Sequence, residues 1–551
     1  MNSAGVSRKT LCSLKKLASL WRSDFHATAT FEAVVSIAVG FRAIPWECMP
    51  PIQSVKCGLW WLPLPQVDNF HIQDCSTNST LESRTPWSLD DTGGFHTFDP
   101  LQDLMVLCSE PDDCVTVTDA EQDHHVCRVE FRLASSQRPH PSAVCTSLEC
   151  KHTFDAPGYY NAALSPPVIC GDRVFIVYEI EDTDGWLVSG MFIQVINWRK
   201  GYVNRHKQHF LCQPDIYDEV CFYPVDEQKL VIVGPEGSIY LYTLQGLDGP
   251  PQCRIIYHPP KIPHLSLHDS EIIIHGHPSL LGKAARPGLT PSYVPSLESQ
   301  IMVLEFLSKA ETAILLLVID MAIFSDMALH SDMPIEIPWS DWGPQYACYF
   351  PHHESYHISV FGSKMAYALP QDHIPDPVQR LERLSSEDYF YVHIWDFNKR
   401  VIARSESVND PDSPDLHICK PGQIIDSFGE DIFSNRAYIA TVCRTPFPTA
   451  GSRIFLEQDR LTVTWARHGE ISIRVISPIQ TEVGPDLTEY TVWLCLYYVY
   501  VGNDQQRPGS GSSVCGRSME LRNEAISRFM MLDNCHYIGN EMPFTHPLYL
   551  I

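Results

Sequence analysis

Histidines are the residues of this chain whose spacing most invites chemistry. His275 and His277 stand two apart, so on a strand both fall on one face and could share a metal ion. The competing reading of His275-Gly276-His277-Pro278 is the exposed polar edge of a turn, and it is favoured because no third ligand is identifiable. Zinc hydrolysis on a helix needs two histidines four apart with a glutamate beside the first. The pairs His124-His125 and His352-His353 (followed by Glu354) lack that spacing, and adjacent histidines on an extended chain diverge. Asp90-Asp91 and Asp112-Asp113 are candidate paired carboxylates, yet each lies in a turn rich in Gly or Pro, where solvated acids are the commoner case. Gly282-Lys283-Ala284 lacks the hydroxyl and the preceding glycine of a phosphate-binding loop. Gly509-Ser510-Gly511 has the wrong spacing for a nucleophile elbow and reads as a linker. The sequence thus offers no catalytic residue, no metal-ligand set and no cofactor-binding residue, and predicts a protein that is not an enzyme.

The aromatic residues say more. Trp339-Ser340-Asp341-Trp342-Gly343-Pro344-Gln345-Tyr346 gathers Trp339, Trp342 and Tyr346 around a Gly-Pro turn. Either these rings staple core elements together or they form a recognition surface, since Trp and Tyr dominate binding hot spots. Packing is the favoured reading.

The elements that must position such residues are mostly strands. In Arg460 to Ile476, Leu461, Val463 and Trp465 alternate with threonines, Arg467-His468-Gly469 turns the chain, and Ile471, Ile473 and Val475 follow. That period of two predicts a pair of half-buried antiparallel strands. Lys229 to Leu244 repeats the pattern around Gly234-Pro235-Glu236-Gly237. Further strands are expected at Asp172 to Glu179, Met191 to Trp198 and Tyr389 to Phe397, and a buried strand or short core helix at Ala313 to Ile319. FIQVINWRKG (Phe192 to Gly201) and YVHIWDFNKR (Tyr391 to Arg400) share a pattern of aromatic, aliphatic and polar positions. Leu241 and Val475 align with Val195, at spacings read as one and six steps of roughly 46 residues, within the range of propeller blades. Trp395-Asp396 resembles a WD-type blade ending. Gly282 to Ser299 and Val408 to Pro421 read as surface insertions between blades.

The fold class expected is therefore all-β, a β-propeller-like domain with a short N-terminal amphipathic helix. That helix spans residues 7–25, where Leu11, Leu14, Leu17 and Leu20 recur at helical spacing. The expected division is helix and linker over 1–49, the propeller-like domain over 50–480, and a C-terminal segment over 481–551. This last segment passes from an apolar aromatic run into a Gly/Ser stretch, and reads either as a last blade with a flexible loop or as sequence foreign to the domain.

A formal charge of −26, from 40 Lys+Arg against 66 Asp+Glu, excludes a nucleic-acid binder that works by neutralising phosphates. No apolar stretch approaches the roughly 20 residues of a membrane span, so no membrane partner is expected. Nineteen scattered cysteines without a CxxC pair, in a chain showing no secretory signal, favour reduced thiols and a cytoplasmic or nuclear setting. Arg8, Lys9, Lys15, Lys16 and Arg22 precede the first acid, so mitochondrial targeting by residues 1–22 is the minor alternative. The sequon Asn78-Ser79-Thr80 would need a secretory route.

IPWSDWGPQYACYF (Ile337 to Phe350), RIFLEQDRLTVTWARHGEISIRVISP (Arg453 to Pro478), FDPLQDLMVL (Phe98 to Leu107) and FIQVINWRKG together resemble the F-box-domain proteins of basidiomycete fungi. LASLWRSDF (Leu17 to Phe25) resembles the segment following the F-box in that family. The resemblance implies a protein-recognition module that serves as substrate receptor of a cullin-RING ubiquitin ligase, its F-box docking the cullin-ligase adaptor. Met1 to Lys16 lacks the Leu-Pro-x-Glu-like signature of an F-box. A stand-alone interaction scaffold without ligase coupling therefore stays open beside the receptor, and a propeller-fold hydrolase is the least favoured reading.

Overall fold

The computed structural model describes strand backbone between residues 33 and 476 and side chains in segments between residues 97 and 476. The expected helix over 7–25, Asp90-Asp91, Asp112-Asp113, His277, Glu354, the sequon and Gly509-Ser510-Gly511 lie outside the described residues. The chain forms two compact units, Met1–Leu496 and Tyr497–Ile551, and every described residue belongs to the first.

Strands dominate, gathered into small antiparallel sheets that follow one another along the chain. Among the described residues there are seven sheets of four to six strands, plus the short pair Gln423–Ile425 and Asp431–Phe433. The first holds Ser54–Lys56, Leu59–Leu64, Asn69–Asp74 and Trp87–Ser88. The second runs from Gly94–Asp99 through Leu104–Ser109 and Asp123–Leu133 to Ser147–Thr153. The third centres on Arg173–Asp182 and Leu187–Asn197, with Val168–Cys170 at its inner end in sequence. The fourth is the meander Cys221–Asp226, Lys229–Val233, Ile239–Thr243 and Gln252–Tyr257, extended by the parallel strand Ile335–Ile337. The fifth comprises Ser270–His275, Ile301–Ser308, Ile314–Asp320 and Ala347–His352, and the sixth Ile358–Phe361, Lys364–Leu369, Tyr389–Asp396, Tyr438–Pro448 and His417–Cys419. The seventh takes Arg453–Leu456, Leu461–Arg467 and Glu470–Ile476, and its fourth strand is Ala33–Ala38 from the other end of the sequence, in register Val35 to Ile473.

Consecutive sheets meet through one strand each, the first in sequence order except in the third sheet, where Val115–Val117 and Gly158–Leu164 precede Val168–Cys170. Gly94–Asp99 contacts Val168–Cys170, which contacts Cys221–Asp226, then Ser270–His275, Ile358–Phe361 and Arg453–Leu456 in turn. Backbone groups tie the same junctions. Gln102 Nε2 donates to the Gly171 carbonyl at 2.7 Å, and Glu227 accepts from Asp172 N–H at 3.0 Å. Ile301 N–H donates to the Gly362 carbonyl at 2.8 Å, and Ser359 Oγ accepts from Leu456 N–H at 2.8 Å. Gly171 and Gly362 occupy equivalent turns after Val168–Cys170 and Ile358–Phe361 with φ of 59° and 57°, a backbone state that costs most other residues about 1–2 kcal/mol. A Cβ on Gly171 would also strike the Glu227 carboxylate.

Several expectations are corrected. Leu461, Thr462, Val463 and Thr464 are all buried, so this strand is not half-buried. It lies second in a sheet whose two faces are both covered, and the alternation of the sequence does not translate into alternating exposure. The repeat is longer than 46 residues: Val195 and Val475 lie on strands four sheets apart, not six. Insertions lengthen the repeat, and the two irregular segments fall inside sheets rather than between them. Gly282 to Ser299 precedes the second strand of the fifth sheet, and Val408 to Pro421 follows the third strand of the sixth and includes His417–Cys419, itself a strand of that sheet. The aligned segments at Leu241, Tyr391 and Val475 sit on third strands of the runs that begin at Cys221, Ile358 and Arg453, Val195 sits on the third counted from Val168–Cys170, and Trp395-Asp396 ends one of them.

Candidate functional site

Two side-chain groups flank the fifth sheet. On one side lies the helix α1, Trp339–Tyr346, formed where the sequence reads as a Gly-Pro turn. Proline disfavours a helical residue before it through a clash with that residue's Cβ, and Gly343 has none. A Cβ on Gly343 would also fall inside the Trp339 ring. Trp342 is 2% exposed and sets its ring edge-on against Tyr257 at 5.6 Å and Trp339 at 4.9 Å. Its indole N–H donates to the His258 carbonyl at 3.0 Å. Trp339 is half-buried and lies 5.4 Å from Tyr349. The Lys399 ammonium stands over the half-buried Tyr346 ring at 5.2 Å and pairs with Asp320 at 3.0 Å, where Arg436 joins at 2.5 Å. Lys399 opens the second described helix, α2, Lys399–Ser407. The structure thus brings Trp339 and Trp342 into one ring cluster and holds Tyr346 against α2.

On the other side stands a carboxylate–histidine network. Glu305, 6% exposed on the second strand of the fifth sheet, meets His275 Nε2 at 2.5 Å and His352 Nε2 at 2.7 Å, one on each oxygen. His352 Nδ1 lies 2.9 Å from the Tyr367 hydroxyl of the sixth sheet. Burial alone would push the Glu305 carboxyl up, but the hydrogen bonds from His275 and His352 outweigh it and hold it at about 2. Burial pushes His352 down, against the pull of Glu305. A neutral imidazole with its proton on Nε2 donates to the ionised carboxylate while Nδ1 accepts from Tyr367, whose own proton is held by burial. Nearby His357 is pushed down to about 4, by burial first and then by the Arg453 charge. The favoured turn-edge reading of His275 therefore gives way to a partly buried strand residue hydrogen-bonded to Glu305. Sequence reasoning missed Glu305, which has no neighbouring motif; its position between Leu304 and Phe306 in an apolar strand is the signal that was available, since a buried acid demands partners. Both carboxylate oxygens are occupied by imidazoles, so the network braces the fifth sheet. Among the described side chains no group of three His, Cys, Asp or Glu residues could hold a metal ion.

An open cleft of ≈ 510 Å³ lies nearby, lined by Ser355, Arg383, Leu384, Ser385, Thr449 and Ala450. Thr449 Oγ1 donates to the carbonyls of Ser385 and Asp388, and Ser385 N–H donates to Asp388 at 2.9 Å, which ties the loops together. The lining offers a guanidinium, hydroxyls and the buried Leu384, a mixture suited to a polar or acidic side chain of a partner.

No family model and no curated protein sequence matches this chain. Solved structures with a similar course exist at low similarity. The N-terminal domain of Nup159 covers 82% of this chain and 97% of its own length at 10% identity, with a TM-score of 0.29. The yeast heterotrimeric Nup82-Nup159-Nup116 nucleoporin complex gives 78% and 97% at 10% identity, TM-score 0.32. The WD40 domain of SCAP from fission yeast gives 78% and 92% at 7% identity, TM-score 0.28.

Proposed function

We propose that this chain is a non-enzymatic protein-recognition module built on a closed seven-bladed β-propeller. The observation that carries this reading is the chain-ordered contact of one strand from each of six successive sheets, with Ala33–Ala38 supplying the fourth strand of the seventh. First strands that line a common axis, and a last blade completed by the opposite end of the sequence, are how a propeller hides its sheet edges. Such a scaffold presents inter-strand loops, and the cleft between Ser355, Arg383 and Thr449 is built from three of them. Glu305, His275 and His352 face one another rather than this cleft's hydroxyls, which supports binding over turnover.

Within that reading, the resemblance to basidiomycete F-box proteins supports a role as substrate receptor of a cullin-RING ubiquitin ligase. Immunoprecipitation with mass spectrometry tests both levels, comparing the natural chain with Arg383→Glu. A partner that is recovered reproducibly and lost with Arg383→Glu supports the cleft, and co-recovery of the cullin adaptor supports the ligase role. A partner set unaffected by Arg383→Glu counts against the cleft, and absence of the adaptor beside a retained partner leaves a scaffold without ligase coupling.

A further inference from the structure

Acidic residues are spread along this chain, yet two stretches hold none: no Asp or Glu stands between Glu130 and Glu149, or between Asp184 and Asp215. The fold brings the two together. Residues 134–146 connect Asp123–Leu133 to Ser147–Thr153 in the second sheet, and residues 198–201 connect Leu187–Asn197 to Tyr202–Val203 in the third. Val144 N–H donates to the Trp198 carbonyl at 3.4 Å, and a Cβ on Gly201 would stand 3.0 Å from Val144 Cγ1.

The longer connection is held in one shape from beneath. His140 is buried, its ring edge-on to Trp198 at 4.8 Å, its Nε2 3.1 Å from the Gln102 carbonyl and its Nδ1 accepting from Ser142 N–H at 3.1 Å. Leu133 N–H donates to the Arg138 carbonyl at 2.7 Å, and Ala143 N–H to the His140 carbonyl at 3.0 Å. A backbone ordered in advance loses little conformational entropy when something docks on it. The pinned loop shows Arg138, Pro139, Pro141 and Val144 to solvent, and Val144, at 62%, is the most exposed large hydrophobic residue among those described. Lys200 is exposed beside Gly201. Lower in the same junction the cations are paired, Arg132 with Glu130 and Arg199 with Asp172, each at 2.6 Å. The Arg138 guanidinium and the Lys200 ammonium have no ion-pair or hydrogen-bond partner among the described residues.

We propose that this surface docks an acidic segment of a partner protein, with an apolar residue of that segment seated on Val144 and its carboxylates paired to Arg138 and Lys200. An exposed apolar anchor beside uncompensated cations complements that chemistry. The formal charge of −26 repels such a segment at long range, but charges more than about 8 Å apart are screened at physiological ionic strength, so the local cations decide. A nucleic acid fits less well, because the aromatic ring of this junction on which a base could stack, Trp198, is fully buried. The surface lies on the second and third sheets, apart from the cleft lined by Arg383 and Thr449, so neither reading depends on the other.

The test is selection from a phage-displayed library of random peptides on the full-length natural chain, repeated on Arg138→Glu/Lys200→Glu and on Arg400→Glu, which reverses an exposed cation of α2. Peptides selected by the natural chain and by Arg400→Glu, and not by the double variant, should carry Asp or Glu on either side of an aliphatic or aromatic residue. Fluorescence anisotropy with one such peptide, labelled with fluorescein, should show affinity falling about tenfold or more in the double variant, several-fold in Val144→Ser, and further as salt is raised. All the replaced residues are exposed, so thermal melting should show these variants folded like the natural chain. A selection that yields no peptide dependent on Arg138 and Lys200 overturns the proposal, as do dependent peptides without acids. Tighter binding of a fluorescein-labelled thymidine oligonucleotide than of the peptide, lost in the same double variant, would overturn it in favour of a nucleic-acid surface.

Discussion

The junction between the fourth and fifth sheets and that between the fifth and sixth solve one problem with different chemistry. The first is aromatic: Tyr257, Phe324, Trp342 and Tyr349 pack in one buried cluster, with the Trp342 indole satisfied by a backbone carbonyl. The second sets an ionised Glu305 among histidines, beside the apolar packing of Phe350, Tyr367 and Trp395. Apolar contacts carry no proton dependence, whereas a buried carboxylate held by imidazoles exists only while each group keeps its protonation state. The comparison separates packing from titration inside a single architecture.

The sharpest break of the aromatic junction is Trp342→Ala. Loss of the buried ring should cost about 3–5 kcal/mol, read as a urea midpoint that falls equally at pH 7 and pH 5. Glu305→Gln attacks the polar junction. An amide can satisfy one imidazole N–H through its oxygen but turns its own N–H toward the other, and His352 cannot change tautomer without losing Tyr367. A loss of about 2–3 kcal/mol at pH 7 is expected, and a stability unchanged within error would mean that the network contributes nothing.

Acid should find the sixth sheet next. His393 is fully buried, its Nε2 lies 2.8 Å from the Gln371 carbonyl, and its Nδ1 has no hydrogen-bond partner among the described residues. Burial pushes it down to about 4. With the folded value below the unfolded value of about 6.5, its contribution is complete above pH 6.5 and is lost as pH falls toward 4, by about 2 kcal/mol at pH 5. His393→Gln should flatten that part of the stability profile. Glu305 acts lower, its contribution lost as pH falls from about 4.3 through about 2. The smallest effect expected is at Gly237, whose φ of 74° closes the hairpin of the fourth sheet. Gly237→Ala should cost about 1 kcal/mol, and calorimetry should show no pH dependence in the difference.

What was legible in the sequence was local. The strands Leu461–Arg467 and Glu470–Ile476, and Lys229–Val233 and Ile239–Thr243, stand where alternation and turn residues placed them. The buried strand at Ile314–Asp320 follows from a run of aliphatic residues too short for a membrane. Helix α1 was hidden because Gly-Pro is read as a turn, and only the tertiary fit of Trp339 over Gly343 makes glycine the helical choice. Glu305 was hidden because His275 and His352 lie 30 and 47 residues away and reach it through strand order. The strand Ala33–Ala38 escaped notice for a similar reason, since its partner Glu470–Ile476 stands at the far end of the described chain.

The central claim is that this strand closes a ring of sheets. Hydrogen exchange of the natural chain, followed by mass spectrometry of peptides covering residues 33–38, 461–467 and 470–476, tests it most directly. Closure predicts that all three segments are protected together and open in one cooperative step, because the fourth strand holds the last sheet. Fast exchange at 33–38 beside slow exchange at 461–467 would contradict it.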